Sequence, residues 1–282
     1  MIKQKILKLL YSFLILIFSS KVLADSPSMP GIKKITDKGE LVVSFTPQTT
    51  TLFTEVDKDQ NLSGIDVEIA ELMAKELGVK LKITTTAPDW NGVIDEVANA
   101  KADIGISFLS VTPTRSKKVL YTTPYIQVRQ ALLFNNLSVA LQHKKGVNLI
   151  KDMFTNKEGL TLGVNAGSSY VDFANHLFPG CKLKGYETIE ELMNATIKRE
   201  IDAMITDESE IFHALRKNPG LKVKLTEIAL QDAPDLISIA VDPKNRDLLD
   251  FVNNILKVRQ VSYTVNSAYL HTLEKQKFQA QN

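Results

Sequence analysis

Residues 80–107 read KLKITTTAPDWNGVIDEVANAKADIGIS, and their pattern decides the fold. Short apolar runs at both ends predict strands, and the apolar residues between them recur at helical spacing. With the segments upstream, the predicted elements are strands at 41–45, 80–84 and 102–107 and helices at 65–77 and 90–100. Because strands and helices alternate along the chain, we predict a parallel sheet with helices on its faces.

The same alternation recurs in the second half of the chain. Its predicted elements are strands at 160–164, 182–186 and 203–206 and helices at 168–177 and 189–198. Two such units predict an α/β protein with two lobes, each a mostly parallel sheet flanked by helices. We assign residues 31–130 and 235–282 to the first lobe and residues 134–230 to the second.

Two extended apolar segments are candidates for the connections between the lobes. Residues 130–134 can carry the chain from the first lobe to the second, and residues 236–241 can return it. Paired crossings of this kind form a two-strand hinge about which lobes rotate. Beyond the return, a helix is predicted at 246–256, and the polar residues 274–282 are expected to fray.

The N-terminus has the features of a secretory signal peptide. Three lysines lie within the first eight residues, residues 9–18 are mostly apolar, and a small-residue cleavage site ends at Ala24. We therefore expect residues 1–24 to be removed. Since no cysteine follows for lipid attachment, the mature chain is expected to be a free periplasmic protein. A signal anchor retained in the membrane is the alternative interpretation.

The composition argues against several classes of function. The formal net charge is +2, which removes the usual electrostatic case for binding nucleic acid or an anionic membrane. Cys181 is the only cysteine and cannot form an internal disulfide. The four histidines, at positions 143, 176, 213 and 271, lie far apart without cysteine neighbours, so neither a metal site nor a cofactor is predicted.

Residues 107–115, SFLSVTPTR, begin at the end of a predicted strand and run into a turn. In an open parallel sheet, ligands bind beyond the carboxyl ends of the strands. A guanidinium there can hold a carboxylate through two parallel charge-assisted hydrogen bonds, with the Ser107 and Ser110 hydroxyls beside it. Arg115 is therefore a candidate anion-binding residue. The alternative is a helix N-cap at Ser110 or Thr112 beside a solvated arginine.

Six short motifs follow one another between residues 39 and 257. They are GIDVEIA at 64–70, WNGVI at 90–94, SVTPTR at 110–115, YTTPY at 121–125, GVNAGSS at 163–169 and IDAMITD at 201–207. In this order they resemble the polar amino-acid-binding proteins of bacterial ABC importers, the solute-binding protein family 3. The resemblance implies a type II periplasmic-binding-protein fold, closure of two lobes around a small amino acid, a cognate ABC permease as partner, and a monomer.

The resemblance also implies roles for matching residues. Arg115 is similar to the arginine that holds the ligand α-carboxylate, and Ser107 and Ser110 match strand-end positions that contact the ligand head group. Ser168 and Ser169 open a predicted helix, whose backbone N–H groups would bind the same carboxylate from the opposite lobe. A plain helix cap is the alternative for this turn.

Further matched positions would complete the pocket. Asp207 resembles the acid that binds the ligand α-ammonium group, although an isolated aspartate is also typical of a loop or a helix cap. Trp90 resembles an aromatic residue that packs on the ligand side chain, and its alternative is a half-buried core position. The remaining candidate ligand-binding residues are Gln48, Phe108 and Asn165.

Two departures from the family pattern bear on the ligand. Family members that bind basic amino acids place an acid and an aromatic residue in the first strand-end loop, whereas residues 48–53, QTTTLF, offer no acid and no early aromatic. Phe108 stands where many members have glycine, and it should narrow the pocket. We therefore predict a polar or neutral amino acid rather than a basic one, whose distal charge would lack a partner.

An enzyme on the same fold is the alternative function. Periplasmic cyclohexadienyl dehydratases resemble this family and use an asparagine and a glutamate of the second lobe, which Asn165 and residues 206–210, TDESE, could supply. A protonated carboxylic acid in a dry pocket can assist loss of hydroxide and carbon dioxide from a prephenate-like substrate. Glu210 lies one turn into a predicted helix, where a solvated side chain is equally expected. A sensor lobe is a third class, and we favour the binding protein over both.

Overall fold

The computed structural model describes residues 29–57, 59 and 61–281, and the predicted signal peptide lies outside these ranges. Within them, no helix combines the length and the apolar character needed to cross a membrane. The helices are α1 Pro30–Lys38, α2 Ile65–Leu77, α3 Trp90–Ala98, α4 Asn136–Lys144, α5 Leu149–Phe154, α6 Tyr170–Leu177, α7 Ile189–Lys198, α8 Glu208–Lys217, α9 Leu221–Lys224, α10 Arg246–Val258 and α11 Val265–Gln281, with a 3-10 helix at Arg115–Lys117. The strands are β1 Glu40–Ser44, β2 Glu55–Val56, β3 Leu62–Ser63, β4 Lys80–Thr84, β5 Ile104–Gly105, β6 Leu120–Tyr121, β7 Ile126–Asn135, β8 Thr161–Asn165, β9 Lys182–Tyr186, β10 Ala203–Asp207, β11 Leu225–Ile237 and β12 Ala240–Val241.

Two five-stranded sheets form the centres of two lobes. The first sheet has the order β4-β1-β5-β12-β6, and the second has the order β11-β7-β10-β8-β9. In the first sheet β1 pairs in parallel with β4 and β5, while β12 runs antiparallel to its neighbours. In the second sheet β8 pairs in parallel with β9 and β10, while β7 runs antiparallel to its neighbours. The predicted α/β fold with two mostly parallel sheets is therefore confirmed.

Strands β7 and β11 carry the chain between the two lobes. Ile126 and Val128 pack in the hydrophobic core of the first lobe, whereas Leu132 and Phe134 of the same strand pack in a core of the second. On the return strand β11, the pairing register with β7 shifts between residues 229 and 234. The two strands therefore change lobe side by side, at a point where their regular pairing is interrupted.

The two segments that were predicted to connect the lobes, residues 130–134 and 236–241, each begin where the observed crossing between the lobes ends. Residues 130–134 pair with β10 inside the second sheet, and residues 236–241 end β11 and form β12 in the first lobe. Apolar patterning located the buried parts of these strands. At the crossing itself, Arg129 and Asp232 are polar and exposed and interrupt the apolar pattern, so the sequence gave no strand signal there.

Two strand glycines let helices pack closely against the sheets. A Cβ atom at Gly105 of β5 would lie 2.8 Å from a valine side chain of α3. A Cβ atom at Gly163 of β8 would likewise overlap the Leu192 side chain of α7. The close packing places the N-termini of these helices, at Trp90 and Ile189, beside the carboxyl ends of the strands.

The C-terminal helix α11 continues to Gln281, so the expectation of a frayed tail is wrong for residues 274–281. Ala268 of this helix is fully buried against the first lobe. Two turns further on, Lys275 forms an ion pair with Glu68 of α2 at 2.6 Å. The polar composition of the tail therefore belongs to a solvated helix that is attached to the lobe by a few contacts.

Candidate ligand-binding site

A cavity lies where the carboxyl ends of strands from both sheets meet. The first lobe lines it with Thr49, Thr50, Trp90, Phe108, Ser110 and Arg115. The second lobe lines it with Asn165, Ser168, Ser169, Tyr170, Ile189, Thr206, Asp207 and Glu210. The cavity volume is about 50 Å³, which is room for a few water molecules. This is the position in which open α/β sheets bind ligands.

The structure brings eight of the ten predicted site residues into the cavity wall, and Gln48 and Ser107 are the two exceptions. Ser107 is fully buried, and its Oγ accepts a hydrogen bond from the Thr46 N–H at 3.2 Å. Gln48 is half-buried, and its loop presents Thr49 and Thr50 to the cavity instead. The sequence thus located the loops, while the side chain that faces the cavity is a neighbour of the predicted one.

Arg115 provides a buried positive charge in the first-lobe wall. It is 3% exposed, its Nε donates to the Asn91 Oδ1 at 3.0 Å, and its Nη1 donates to the Ser110 carbonyl at 3.3 Å. Its Nη2 has no hydrogen-bond partner among the described residues. Burial lowers the pKa of Arg115, yet a guanidinium stays charged in proteins. A ligand carboxylate would satisfy this unused buried donor.

Hydroxyl groups from both lobes meet on the acid Asp235. The Ser110 Oγ donates to the Asp235 Oδ2 at 2.9 Å, and the Tyr170 hydroxyl donates to the same oxygen at 3.0 Å. The Ser169 Oγ in turn donates to the Ser110 Oγ at 2.8 Å. Asp235 lies on the crossing strand β11, so this network connects the first lobe, the second lobe and one of the two connecting strands.

Asp235 is a functional candidate that sequence reasoning missed. It is 1% exposed, and its Oδ1 has no hydrogen-bond partner among the described residues. Burial raises the pKa of Asp235 to about 7, and the neighbouring Asp207 carboxylate adds to this effect. The signal available in the sequence was an acid directly before the apolar return segment 236–241.

Asp207 is the N-cap of helix α8 and also lines the cavity. Its Oδ1 accepts hydrogen bonds from the N–H groups of Ser209 and Glu210, both at 3.0 Å, and from the Ser209 hydroxyl. The side chain is 4% exposed, and burial raises its pKa. Asp207 therefore caps the helix, as the alternative interpretation expected, and it also lies at the cavity wall.

Glu210 points into the closed cleft instead of being solvated. It is 8% exposed, its Oε1 accepts a hydrogen bond from the Thr51 N–H at 2.9 Å, and its Oε2 accepts one from the Thr51 hydroxyl at 3.0 Å. Burial raises the pKa of Glu210 to about 7, and the Asp207 carboxylate raises it further. A contact between residues so far apart in the chain leaves no local sequence signal.

The turn before α6 combines a hydrogen bond to the first N–H of the helix with a contact to the opposite lobe. Helix α6 begins at Tyr170, two residues later than predicted. The Ser168 Oγ donates to the Asn165 carbonyl at 2.7 Å and accepts from the Tyr170 N–H at 3.2 Å. Gly167 has a φ of 69°, and a Cβ atom there would overlap the Asp89 carboxylate of the first lobe. A glycine is therefore required for this close approach.

Phe108 and Trp90 give the first-lobe wall an apolar surface. Phe108 is 6% exposed, has a φ of 51°, and packs against Phe53 with 4.4 Å between ring centroids. Its N–H donates to the Asp66 carboxylate at 2.6 Å, which holds the backbone in this uncommon conformation. Trp90 is half-buried at the start of α3, directly after the N-cap Asp89.

A family model for bacterial extracellular solute-binding proteins, family 3, matches residues 42–271. The ABC transporter arginine-binding protein 1 of Escherichia coli (strain K12) is 25% identical over 205 residues, which cover 72% of this chain and 79% of that protein. The L-cystine-binding protein TcyJ of the same strain is 25% identical over 238 residues, which cover 84% of this chain and 83% of that protein.

A solved structure gives a similar result for the fold. The ancestral amino acid-binding protein AncCDT-1, described as a precursor of cyclohexadienyl dehydratase, has a TM-score of 0.67 and 25% identity to this chain. The match covers 85% of this chain and 98% of that one. The fold of most of this chain therefore has a counterpart of known structure.

Proposed function

Because this chain belongs to the bacterial extracellular solute-binding proteins, family 3, we propose that it binds a small amino acid between its lobes and delivers it to an ABC importer. In this proposal the signal peptide is cleaved after Ala24. The mature protein works in the periplasm as a monomer, and its partner is a cognate ABC permease.

One observation carries the proposal: an unsatisfied buried cation and a buried acid line the same cavity from opposite lobes. Arg115 has its Nη2 without a partner among the described residues. The hydrogen bonds that Asp207 accepts within α8 all reach Oδ1, so its Oδ2 retains capacity for a ligand. An α-amino acid carries a carboxylate and an ammonium group on one carbon, so its head group can satisfy both side chains.

Ligand entry requires the lobes to separate. The hydrogen bond between Ser169 and Ser110 and the contacts of Glu210 with Thr51 cross the cleft directly. A ligand can reach the side chains that lie between these contacts only when the contacts break. We therefore propose an open state that admits the ligand, which then shifts the population toward closure, with β7 and β11 absorbing the rotation.

The preference for a polar or neutral ligand stays part of the proposal. Thr49 and Thr50 offer hydroxyls, and Trp90 and Phe108 offer apolar surface, with no acid in the first loop. Glu210 reaches the cavity from the other lobe and brings an acid that the first loop lacks. The charge of the ligand side chain therefore depends on the state of Glu210.

A thermal-shift screen of the amino acids, prephenate and small dicarboxylates, followed by calorimetry, tests the binding function. A ligand at 100 times its Kd adds about 2.7 kcal/mol to the free energy of unfolding. Small-angle scattering with and without saturating ligand then tests closure. Failure of every amino acid to bind contradicts the function, and an unchanged radius of gyration with confirmed binding contradicts closure.

A dehydratase is the second candidate function, and the burial of Glu210 favours it. A carboxylic acid with a pKa of about 7 in an enclosed cavity can donate a proton to a departing hydroxide while a carboxylate leaves as carbon dioxide. Asn165 lines the same cavity, and its Nδ2 donates to the Tyr186 carbonyl at 3.1 Å. Following the absorbance of added prephenate separates the two functions, because a binding protein leaves it unchanged.

A further inference from the structure

We propose that Glu210 determines which side-chain charge the cavity accepts: its ionised carboxylate selects an amino acid with a cationic side chain, and its protonated form selects a neutral one. This inference rests on the proposed amino-acid-binding function. It assigns the selection of the ligand's side-chain charge to one residue, because the first strand-end loop alone does not determine that charge.

The position of Glu210 is fixed by a contact across the cleft. Its two carboxylate oxygens accept hydrogen bonds from the N–H and the hydroxyl of Thr51, at 2.9 and 3.0 Å. The carboxyl group is therefore held at the cavity wall beside Thr49 and Thr50, which also line the cavity. A group held in this way from both lobes is in place whenever the lobes are closed.

The contact with Thr51 is compatible with both protonation states. When Glu210 is ionised, both of its oxygens accept from Thr51. When it is protonated on Oε2, that O–H can donate to the Thr51 hydroxyl oxygen, while Oε1 still accepts from the Thr51 N–H. Titration thus changes the charge that a ligand meets without requiring the lobes to open.

The charges around the cavity leave Glu210 without a partner when a zwitterion binds. Among the described residues that line the cavity, the charged groups are Arg115, Asp207 and Glu210. The α-carboxylate of a ligand pairs with Arg115, and its α-ammonium group pairs with Asp207. The buried Glu210 carboxylate then has no charged partner among these groups, so it must either pair with a cation on the ligand side chain or take up a proton.

The surroundings of Glu210 place the titration of its carboxyl group in an accessible pH range. Burial and the nearby carboxylate of Asp207, the N-cap residue of the same helix, raise the pKa of Glu210 to about 7, while the hydrogen bonds from Thr51 oppose the shift. Tyr170 of α6 is the other titratable neighbour, and burial keeps its hydroxyl protonated by raising its pKa well above the usual value. The pKa of Asp235 is also raised to about 7, but Asp235 does not line the cavity, so Glu210 is the cavity-lining group with a pKa of about 7.

The test compares ligands that differ in side-chain charge at nearly equal size. Calorimetry at pH 5.5 and pH 8.0 measures the Kd of arginine against citrulline and of 2,4-diaminobutyrate against homoserine. The preference for the cationic member of each pair should rise at least about tenfold from the lower to the higher pH. In buffers of different ionisation enthalpy, binding of the neutral member at pH 8.0 should show uptake of a proton, and binding of the cationic member should not.

Two variants make the comparison specific. Glu210→Gln should lose the pH dependence, the proton uptake and the preference for the cationic ligand. Glu208→Gln removes the same charge from the same turn of α8, where Glu208 pairs with Arg129 at the crossing, and it should retain all three. Thermal unfolding of both variants confirms that they are folded.

Three outcomes would overturn the inference in distinguishable ways. If Glu210→Gln weakens both members of a pair equally, Glu210 acts on the head group and does not select the side chain. If the preference is independent of pH in the unsubstituted protein, Glu210 does not titrate in the complex. If no amino acid binds the unsubstituted protein at either pH, the proposed function itself fails, and the inference fails with it.

Discussion

Two buried aspartates, one in each lobe, stand at the start of a helix and differ in what surrounds them. Asp66 is fully buried, and its two oxygens accept hydrogen bonds from the Phe108 N–H at 2.6 Å, the Tyr125 hydroxyl at 2.7 Å and the Thr54 hydroxyl at 3.2 Å. Asp207 is almost as buried, but it lines the cavity, and the bonds it accepts within α8 use one oxygen.

The comparison shows that burial does not by itself identify a ligand-binding acid. Burial raises the pKa of Asp66, to about 6, and it also raises the pKa of Asp207. The difference lies in acceptor capacity: three segments of the first lobe use both oxygens of Asp66, whereas Asp207 has an oxygen left over at a cavity wall. Asp66 is thus a support for the backbone of Phe108, and Asp207 is a candidate to contact the ligand.

The largest effect is expected from Asp66→Ala. The substitution leaves the Phe108 N–H and the Tyr125 hydroxyl buried without an acceptor, so the free energy of unfolding should fall by about 4 kcal/mol. Urea denaturation measures it. Asp37→Ala is the matched control, because Asp37 is exposed on α1 and its ion pair with Lys33 contributes little. A comparable loss in the two variants would remove the distinction drawn for Asp66.

Arg115→Ala should have the next largest effect, on binding rather than on folding. Removing the buried guanidinium that faces a ligand carboxylate should weaken binding by about 3 kcal/mol, or roughly 150-fold. Arg115→Lys should not restore it, because an ammonium cannot reproduce the planar donor fork. Calorimetry with the ligand found in the screen measures the change, and Arg259→Ala, at an exposed ion pair, should leave the affinity unaltered. An unchanged affinity in Arg115→Ala contradicts the assignment.

Asp207→Asn sharpens the comparison between the two aspartates. The amide oxygen can still accept the cap bonds of α8, so the free energy of unfolding should change by less than about 0.5 kcal/mol. Binding should weaken by about 2 kcal/mol, because the charged partner of the α-ammonium is lost. Parallel denaturation and calorimetry experiments give both values. A large loss of stability with full affinity would reverse the roles given to Asp66 and Asp207.

The last prediction concerns another buried acid, Asp235, and the pH dependence of stability without ligand. Its pKa is about 7 in the folded protein and 3.8 in its ordinary state, so the folded protein holds the proton more tightly. The stabilisation is fully present below about pH 4 and is lost as the pH rises through about 7, with a slope of at most about 1.4 kcal/mol per pH unit.

Asp235→Asn removes this titration while keeping an oxygen that can accept from Ser110 and Tyr170. Urea denaturation between pH 5 and pH 8 should give a flatter stability profile for the variant than for the unsubstituted protein. Glu210 titrates in both proteins, so the difference between the two curves isolates Asp235. Curves that run parallel over this range would show that Asp235 has no raised pKa.

Local sequence signals predicted several elements to the residue. Helix α2 and strand β4 have their predicted bounds because Gly78, in the left-handed conformation, ends the helix. Helix α7 also has its predicted bounds, because the Thr188 hydroxyl caps it by accepting from the Glu191 N–H at 3.2 Å. Where a side chain gives an unambiguous stop or start, the fold of that segment can be predicted from the sequence.

The parts of the site that the sequence did not predict depend on long-range contacts. The contacts of Glu210 with Thr51 join residues 159 positions apart, and the bond from Ser110 to Asp235 spans 125 positions. No periodicity or motif at either end records such a pairing. Resemblance to the family supplied Arg115 and Asp207, whereas the burial of Glu210 and Asp235 follows from the way the two lobes meet.

The strand order of the first sheet has a consequence for how the chain folds as it is made. Strand β12 lies between β5 and β6, so the first sheet is incomplete until residue 241 has been synthesised. All strands of the second sheet, in contrast, lie between residues 126 and 237. The second sheet therefore forms from one continuous stretch of the chain, whereas the first sheet is completed only when β12 returns from that stretch to pair with β5 and β6.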